Sequence, residues 1–294
     1  MQTEEARYDE LVDRVEVLYN DGRLRGAIGL VDDSEGLEAW AAELAHLKAC
    51  LLAAAGDTES AFRTLQDASD AGAWWDPSIL TGDDDLAALQ VRREFRQLVA
   101  TSRERVADDP TPPLVELPAV PAVGVVVALH GAGQRASHAA RDWAAVLDLG
   151  YALVCVESSR RMSPMYRTWP DREQAAGDIA RALAAVPAEL SAVPTIAAGF
   201  SAGGRAALDW ALTAHPVKVA GVVVMAPALR TLPDAAAGPL SPATILVGTG
   251  DGLLEVVENA AGRLTAFGCA IERVPGLAHT FPADFGRRLR TILS

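Results

Sequence analysis

The sequence predicts an α/β protein: a mostly parallel, doubly wound sheet preceded by an all-α helical-repeat domain. Three observations carry this. Before about residue 106, apolar residues recur at spacings of three and four, as in Leu11, Val15, Leu18 and Tyr19, which is the period of a helix face. From residue 121 onward, continuous apolar runs such as Val123–Leu129 alternate with helical patterns, as expected of strands buried on both faces of a parallel sheet. Between the two textures stand Pro110, Pro112, Pro113, Pro118 and Pro121, which cannot continue a helix. The expected division is a helical domain over 1–106, a Pro-rich linker over 107–121 and an α/β domain over 122–294.

In the helical part, the stretch from Trp40 to Ala55 is a strong helix. Gly56 and Asp57 break it, and Asp57 or Thr58 can cap the next one. That next helix runs through Ala61, Phe62, Leu65 and Ala68 to a stop at Gly72. A third helical pattern covers Leu86 to Arg105. A helix, a tight Gly-Asp turn and a second helix with small and aromatic facing residues resembles a tetratricopeptide-type repeat unit. Such arrays need about three repeats to stand alone. This one is therefore expected to pack on its neighbour and to offer a surface for a protein partner or self-association. His46, in the middle of an apolar helix, reads as a packed or surface histidine rather than a ligand.

In the α/β part, strands are expected at 123–129, 152–156, 195–198, 219–225, 244–247 and 270–274. Helical segments are expected around 138–148, 171–186, 203–214, 253–267 and 282–293. In such a sheet, functional groups belong at the carboxyl ends of strands. Gly199-Phe200-Ser201-Ala202-Gly203 follows one strand and opens a helix, the context that a G-x-S-x-G nucleophile elbow requires. A sharp strand-to-helix turn presents Ser201, and the helix N-terminus aims free N–H groups at developing negative charge.

Serine needs a base, and on such a sheet the acid and then the base follow the nucleophile along the chain. His279 lies just past the strand at 270–274 and is the candidate base. His215 ends the elbow helix and points away from its tip. Asp251, among small residues past the strand at 244–247, is the candidate acid. Glu255 is the runner-up and Asp234 a more distant choice. Asp251 could instead cap the helix at 253. An oxyanion needs two aimed N–H donors. Ala202 supplies one, and Ala132, in the loop His130-Gly-Ala-Gly133, is the choice for the other. His130 reads as a structural hydrogen-bonder.

A rival pattern shares these glycines. Gly131-Ala-Gly133-Gln-Arg-Ala136, with Glu157 about twenty residues on, also fits a dinucleotide fingerprint. It leaves the elbow, Asp251 and His279 unexplained. The hydrolytic reading uses all four features in one order, and no cofactor is expected.

Leu129-His-Gly-Ala-Gly133, Gly199-Phe-Ser-Ala-Gly-Gly204, Gly248-Thr-Gly-Asp251 and Gly276-Leu-Ala-His279 together resemble the phospholipase/carboxylesterase and dienelactone-hydrolase-like branch of the α/β hydrolases, with acyl-protein thioesterases nearby. The likeness covers about residues 122 to 294. It implies cleavage of a small-molecule ester or thioester through an acyl-enzyme without a cofactor. Dienelactone hydrolases carry cysteine at the elbow; Ser201 places this chain with the esterases. The loop from Ser158 to Pro170 leaves a strand's carboxyl end. Its Met162, Met165, Tyr166 and Trp169 are candidates to line an acyl pocket, with Arg160, Arg161 or Arg167 drawing an anionic substrate. The alternative is that the loop packs on the helical domain.

Composition excludes other classes. Over 294 residues the net charge is −13, so no basic surface for nucleic acid or anionic lipid is expected. Three scattered cysteines, Cys50, Cys155 and Cys269, fit a reducing compartment. No CxxC or HExxH motif occurs, and no metal site is expected. The N-terminus lacks an apolar leader and no apolar run reaches about 20 residues, so membrane insertion is not expected and a cytoplasmic location is. The expectation is a serine hydrolase using Ser201, His279 and Asp251. Its rivals are a non-catalytic helical-repeat scaffold, a serine peptidase and a dinucleotide-binding enzyme.

Overall fold

The computed structural model describes residues 2–294. It divides into two compact units: residues 1–107 with 161–166, and residues 108–160 with 167–294.

The first unit is helical: α1 (Glu4–Asn20), α2 (Leu24–Asp32), α3 (Ala41–Ala54), α4 (Thr58–Asp70), α5 (Pro77–Gly82) and α6 (Arg93–Arg105). The α3–α4 hairpin turns where the Gly-Asp break lies. Gly56 adopts φ +86°, a left-handed value that costs glycine little. Asp57 caps α4 by accepting the Ser60 N–H at 3.0 Å. The helix expected over 86–105 is interrupted: a 3-10 turn over Ala87–Leu89 gives way to α6, with Arg92 extended between them. The interruption turns Leu86 and Leu89 inward to join Phe95, Leu98 and Trp75 in one core, which a single straight helix could not do with the same residues.

The second unit is a seven-stranded sheet in the order β1-β3-β2-β4-β5-β6-β7. Its strands are β1 (Leu114–Glu116), β2 (Gly124–Leu129), β3 (Tyr151–Val156), β4 (Thr195–Phe200), β5 (Gly221–Met225), β6 (Ala243–Gly248) and β7 (Ala270–Val274). All pairings are parallel except β1 with β3. The Pro-rich stretch thus holds a short strand that its prolines hid. Leu114, Val115 and Glu116 lie between the prolines and pair at the sheet's edge, where a short strand tolerates such flanks. Residues of β2 to β5 are entirely buried or nearly so, as their apolar runs require.

Helices α8 (Arg172–Ala184), α9 (Ser201–Thr213) and α10 (Leu254–Ala266) cover one face of the sheet, sharing a core with Val127, Val154 and Ile245. Helices α7 (Ala136–Trp143) and α11 (Phe285–Leu293) cover the other, around Trp143, Phe200 and Phe285. The chain winds outward from β2 to β3, then back across to β4. That reversal places a crevice outside the carboxyl ends of β2 and β4, where the Gly131 loop and Ser201 stand.

Candidate active site

Ser201 is the first residue of α9, directly after β4, at φ 51°. A non-glycine residue there costs about 1–2 kcal/mol, and such strain persists only where surroundings over-determine it. The surroundings are backbone in contact. A Cβ added at Gly203 would fall 2.2 Å from the His130 carbonyl oxygen, and one at Gly199 would fall 2.5 Å from that of Gly203. Only glycine lets the elbow sit this close to β2. As the start of a helix, the turn leaves the Ala202 N–H without an intrahelical acceptor.

The loop after β2 supplies a second free donor. Its flanking amides are used: Gly131 N–H donates to Gln134 Oε1 at 2.8 Å, and Gly133 N–H to the Arg167 carbonyl at 2.9 Å. Among the described residues the Ala132 N–H, between them, has no acceptor, and Ala132 is exposed. His130 holds the base of this loop. Burial lowers its imidazole to about 4, so the ring is neutral. Its Nδ1 lies 2.7 Å from the Gly131 carbonyl oxygen, which can only accept, so Nδ1 carries the hydrogen. Its Nε2 accepts from the Ser158 N–H at 3.3 Å. The Trp169 indole N–H donates to the His130 carbonyl at 2.7 Å.

Glu157, the acid of the rival dinucleotide pattern, is buried at the end of β3. Its carboxylate meets Arg167 Nε at 2.7 Å and Arg135 Nε at 3.2 Å, and accepts the Ala136 N–H at 2.5 Å. Both of its oxygens are engaged in holding the loop. Gln134 and the Glu157–Arg167 pair were not foreseen as parts of the site. No spacing signal links them, because their meeting depends on the tertiary path of the 157–167 loop.

Asp251 follows β6, and its side chain is fully buried. Its Oδ1 accepts the Leu253 N–H at 2.8 Å, so it does serve as a local cap. The same carboxylate lies 2.9–3.0 Å from His279 Nδ1. The cap and the contact to His279 coexist in one group. His279 sits in the loop after β7, half-exposed, with its ring 4.7 Å from that of Phe200, the residue preceding Ser201. The loop is brought in by close backbone contact: a Cβ at Gly248 would fall 2.0 Å from the Leu277 carbonyl oxygen. With Nδ1 donating to Asp251, His279 Nε2 is left to accept a proton. Among the described residues the Ser201 hydroxyl has no hydrogen-bond partner. Such bonds are often long before a substrate is bound.

Ser201, Ala202, Ala132, Asp251, His279 and Trp169 all belong to the α/β unit. Met162, Met165 and Tyr166 belong to the helical unit. Tyr166 Oη is 2.8 Å from Tyr8 Oη, Met165 packs against the core that includes Val15 and Trp40, and the Met162 carbonyl accepts the Asp76 N–H. The arginines are also engaged: Arg161 with the Pro164 carbonyl and Arg167 with Glu157 and Asp109. Arg160 lies 3.6 Å from Asp108. No described helix is long and apolar enough to cross a membrane.

A family model described as the A/B hydrolase-like N-terminal domain matches residues 7–109. A second, described as serine aminopeptidase S33, matches residues 120–257, which include Ser201 and Asp251. Among solved structures, an uncharacterized protein from Bacillus cereus ATCC 10987 is 23% identical over 97% of both chains, with a TM-score of 0.52. Its likeness shows a shared fold. Esterase PE8 is 20% identical over 62% of this chain and 97% of its own, with a TM-score of 0.49. Zea mays acyl-protein thioesterase 2 is 18% identical over 62% and 96%, with a TM-score of 0.48. No curated protein matches the chain.

Proposed function

Because this chain belongs to the α/β-hydrolase superfamily, with an A/B hydrolase-like N-terminal domain, we propose that it cleaves carboxylic esters or thioesters of small acyl substrates through an acyl-enzyme on Ser201. The observation that carries the reading is the His279–Asp251 pair, fixed at 2.9 Å beside the ring of Phe200 at the elbow.

In this mechanism Ser201 Oγ attacks the substrate carbonyl carbon, and His279 Nε2 takes the hydroxyl proton. Asp251 accepts the Nδ1–H, fixes that tautomer and stabilises the imidazolium. The Ala132 and Ala202 N–H groups receive the oxyanion. His279 returns the proton to the leaving alcohol or thiol as the C–O or C–S bond breaks. Water, deprotonated by the same imidazole, then releases the acid and restores Ser201. Trp169, His130, Gln134 and the Glu157–Arg167 pair act as positioning residues for the Ala132 loop.

The test is hydrolysis of p-nitrophenyl acetate and butyrate, with labelling by a fluorophosphonate probe. Ser201→Ala is expected to lose label and at least about 10³-fold in turnover, because no other described group can replace the hydroxyl. Equal turnover by the variant, or labelling at another residue, would refute the assignment. A second reading, aminopeptidase activity, is favoured by the description of the model matching residues 120–257. Amino-acid p-nitroanilides assayed beside the esters decide between the two, since both require Ser201.

A further inference from the structure

The helical unit holds a cluster that the hydrolytic site does not use. His46 and Cys50 are four residues apart on α3 and so project from one face. Asp83, at the C-terminal end of α5, comes up beside them. Cys50 Sγ lies 3.2 Å from Asp83 Oδ2 and 3.7 Å from His46 Nε2, and His46 Nε2 lies 3.6 Å from Asp83 Oδ2.

Those edges can be compared with what a tetrahedral ion would need. Zinc bonds of about 2.3 Å to sulfur and 2.0–2.2 Å to nitrogen and oxygen, opened at the tetrahedral angle, put ligand atoms about 3.4–3.6 Å apart. The three donors already stand within a few tenths of an ångström of that triangle. Asp83 is oriented for the task, because its Oδ1 accepts the Asp85 N–H at 3.0 Å and leaves Oδ2 facing the cluster. Asp85 is held in turn by the Tyr19 hydroxyl at 3.0 Å.

A second, independent feature points to an occupant. The three side chains line a cavity of about 320 Å³ within the helical unit, together with Tyr8, Tyr166 and Glu43. Glu43 is 2% exposed, and its Oε2 has no hydrogen-bond partner among the described residues, while Oε1 accepts from Ser163 and Met165. The cavity therefore adjoins a buried carboxylate oxygen and three metal-ligating groups, with no lysine or arginine among its described lining residues.

We propose that His46, Cys50 and Asp83 form a binding site for one zinc-class divalent cation, with the fourth coordination position facing the cavity. Thiolate, imidazole and carboxylate suit zinc over magnesium or calcium, which prefer all-oxygen sets. Binding replaces the Cys50 S–H bond with a metal–sulfur bond and releases one proton to solvent. Water, or a small ligand entering the cavity, takes the remaining position, as in sites with three protein ligands.

The experiment uses the full chain, stripped with chelator and titrated with Co²⁺ as a spectroscopic probe. The expected result is one Co²⁺ per chain, a sulfur-to-cobalt charge-transfer band, tetrahedral d–d bands, and displacement of all of these by Zn²⁺. Cys50→Ser is expected to abolish the charge-transfer band. His46→Gln and Asp83→Asn should each weaken binding at least tenfold, while Ser201→Ala binds like the parent. Far-ultraviolet circular dichroism of each metal-free variant establishes that it folds. If Cys50→Ser does not, the other two variants carry the test. Absence of the bands at millimolar Co²⁺ overturns the proposal, as does a charge-transfer band that survives in folded Cys50→Ser. So does binding unchanged in both His46→Gln and Asp83→Asn.

Discussion

Asp251→Asn separates the acid role from the capping role. Asp251 Oδ1 accepts the Leu253 N–H at 2.8 Å, and both carboxylate oxygens lie within 3.0 Å of His279 Nδ1. An asparagine must keep its oxygen toward Leu253; turned around, its NH₂ would face another N–H and forfeit a cap of about 1 kcal/mol. The NH₂ then faces His279 Nδ1 and donates to it. That donation favours the tautomer with hydrogen on Nε2, where the ring cannot accept the Ser201 proton, over one in which Nδ1–H shares the capping oxygen 3.0 Å away. The same exchange in a serine-protease triad costs about 10⁴-fold in kcat, or about 5.4 kcal/mol of transition-state stabilisation. The variant should therefore lose about 10⁴-fold in p-nitrophenyl butyrate turnover at pH 7 while its melting temperature stays within a few degrees of the parent. Asp251→Ala should lose the cap as well, lowering the melting temperature by about 2–4 °C. Turnover by Asp251→Asn within tenfold of the parent, with the fold intact, would show that Asp251 is only a cap.

Two further outcomes follow from the same region. His130 is lowered to about 4 by burial, against about 6.5 in an unfolded chain. Between those values the unfolded state binds the extra proton, so this contribution to stability is whole above about pH 6.5. It falls by about 1.4 kcal/mol per pH unit down to about pH 4, about 3 kcal/mol in all. Urea melts from pH 7 to 4.5 should show that slope, and His130→Asn should flatten it; an unchanged slope would place the acid sensitivity elsewhere. Gly203→Ala puts a methyl 2.2 Å from a backbone oxygen, whereas Gly262 in α10 has nothing within 4 Å. The first should lower the melting temperature by about 5 °C or more. Gly262→Ala, in an exposed helix interior, should stabilise by about 0.5–1 kcal/mol. Equal effects would contradict the close packing of elbow on β2.

What the sequence made legible was whatever depends on local period or on fixed order along the chain. The valine-rich run before Leu129 can hardly be anything but a buried strand, and Ser201 stands at the strand-to-helix junction that its flanking glycines imply. His279 and Asp251 were reachable because the fold dictates on which strand ends they stand. The hidden parts depend on long-range geometry. Leu114–Glu116 is too short to show a period between its prolines. The turn at Leu89 exists because core space, rather than local propensity, decides where Leu86 and Phe95 point. The 158–170 loop is the sharpest case. Its apolar side chains fit a pocket lining or a packing segment equally well by composition. In the fold, Tyr166 bonds Tyr8 within the helical unit and Trp169 bonds the His130 carbonyl within the α/β unit, so neighbouring residues of one loop serve different cores. His46, Cys50 and Asp83 met for the same reason: a helix spacing joins two of them, and only the tertiary fold delivers the third.

Two of the buried carboxylates of the α/β unit, Glu157 and Asp251, favour the proposed hydrolytic reading over a relic in a scaffold. Glu157 is neutralised as a stability argument demands, by two guanidinium groups and a backbone N–H. A buried acid so surrounded repays much of its desolvation. Asp251 is equally buried, yet among the described residues no arginine or lysine touches it; its partners are one backbone N–H and one imidazole. Ser201 adds backbone strain at φ 51° that glycine in its place would relieve. Apart from the Leu253 cap, neither feature stabilises the fold: the strain at Ser201 and the burial of Asp251 without a cation each carry a cost. Both become useful only when a proton leaves a serine and a positive charge forms on His279, because that charge then faces an anion for which the folded protein has reserved no other cation. On the proposed mechanism the arrangement is complementary to a state that exists during acyl transfer and not to the resting state, as catalysis by differential binding requires.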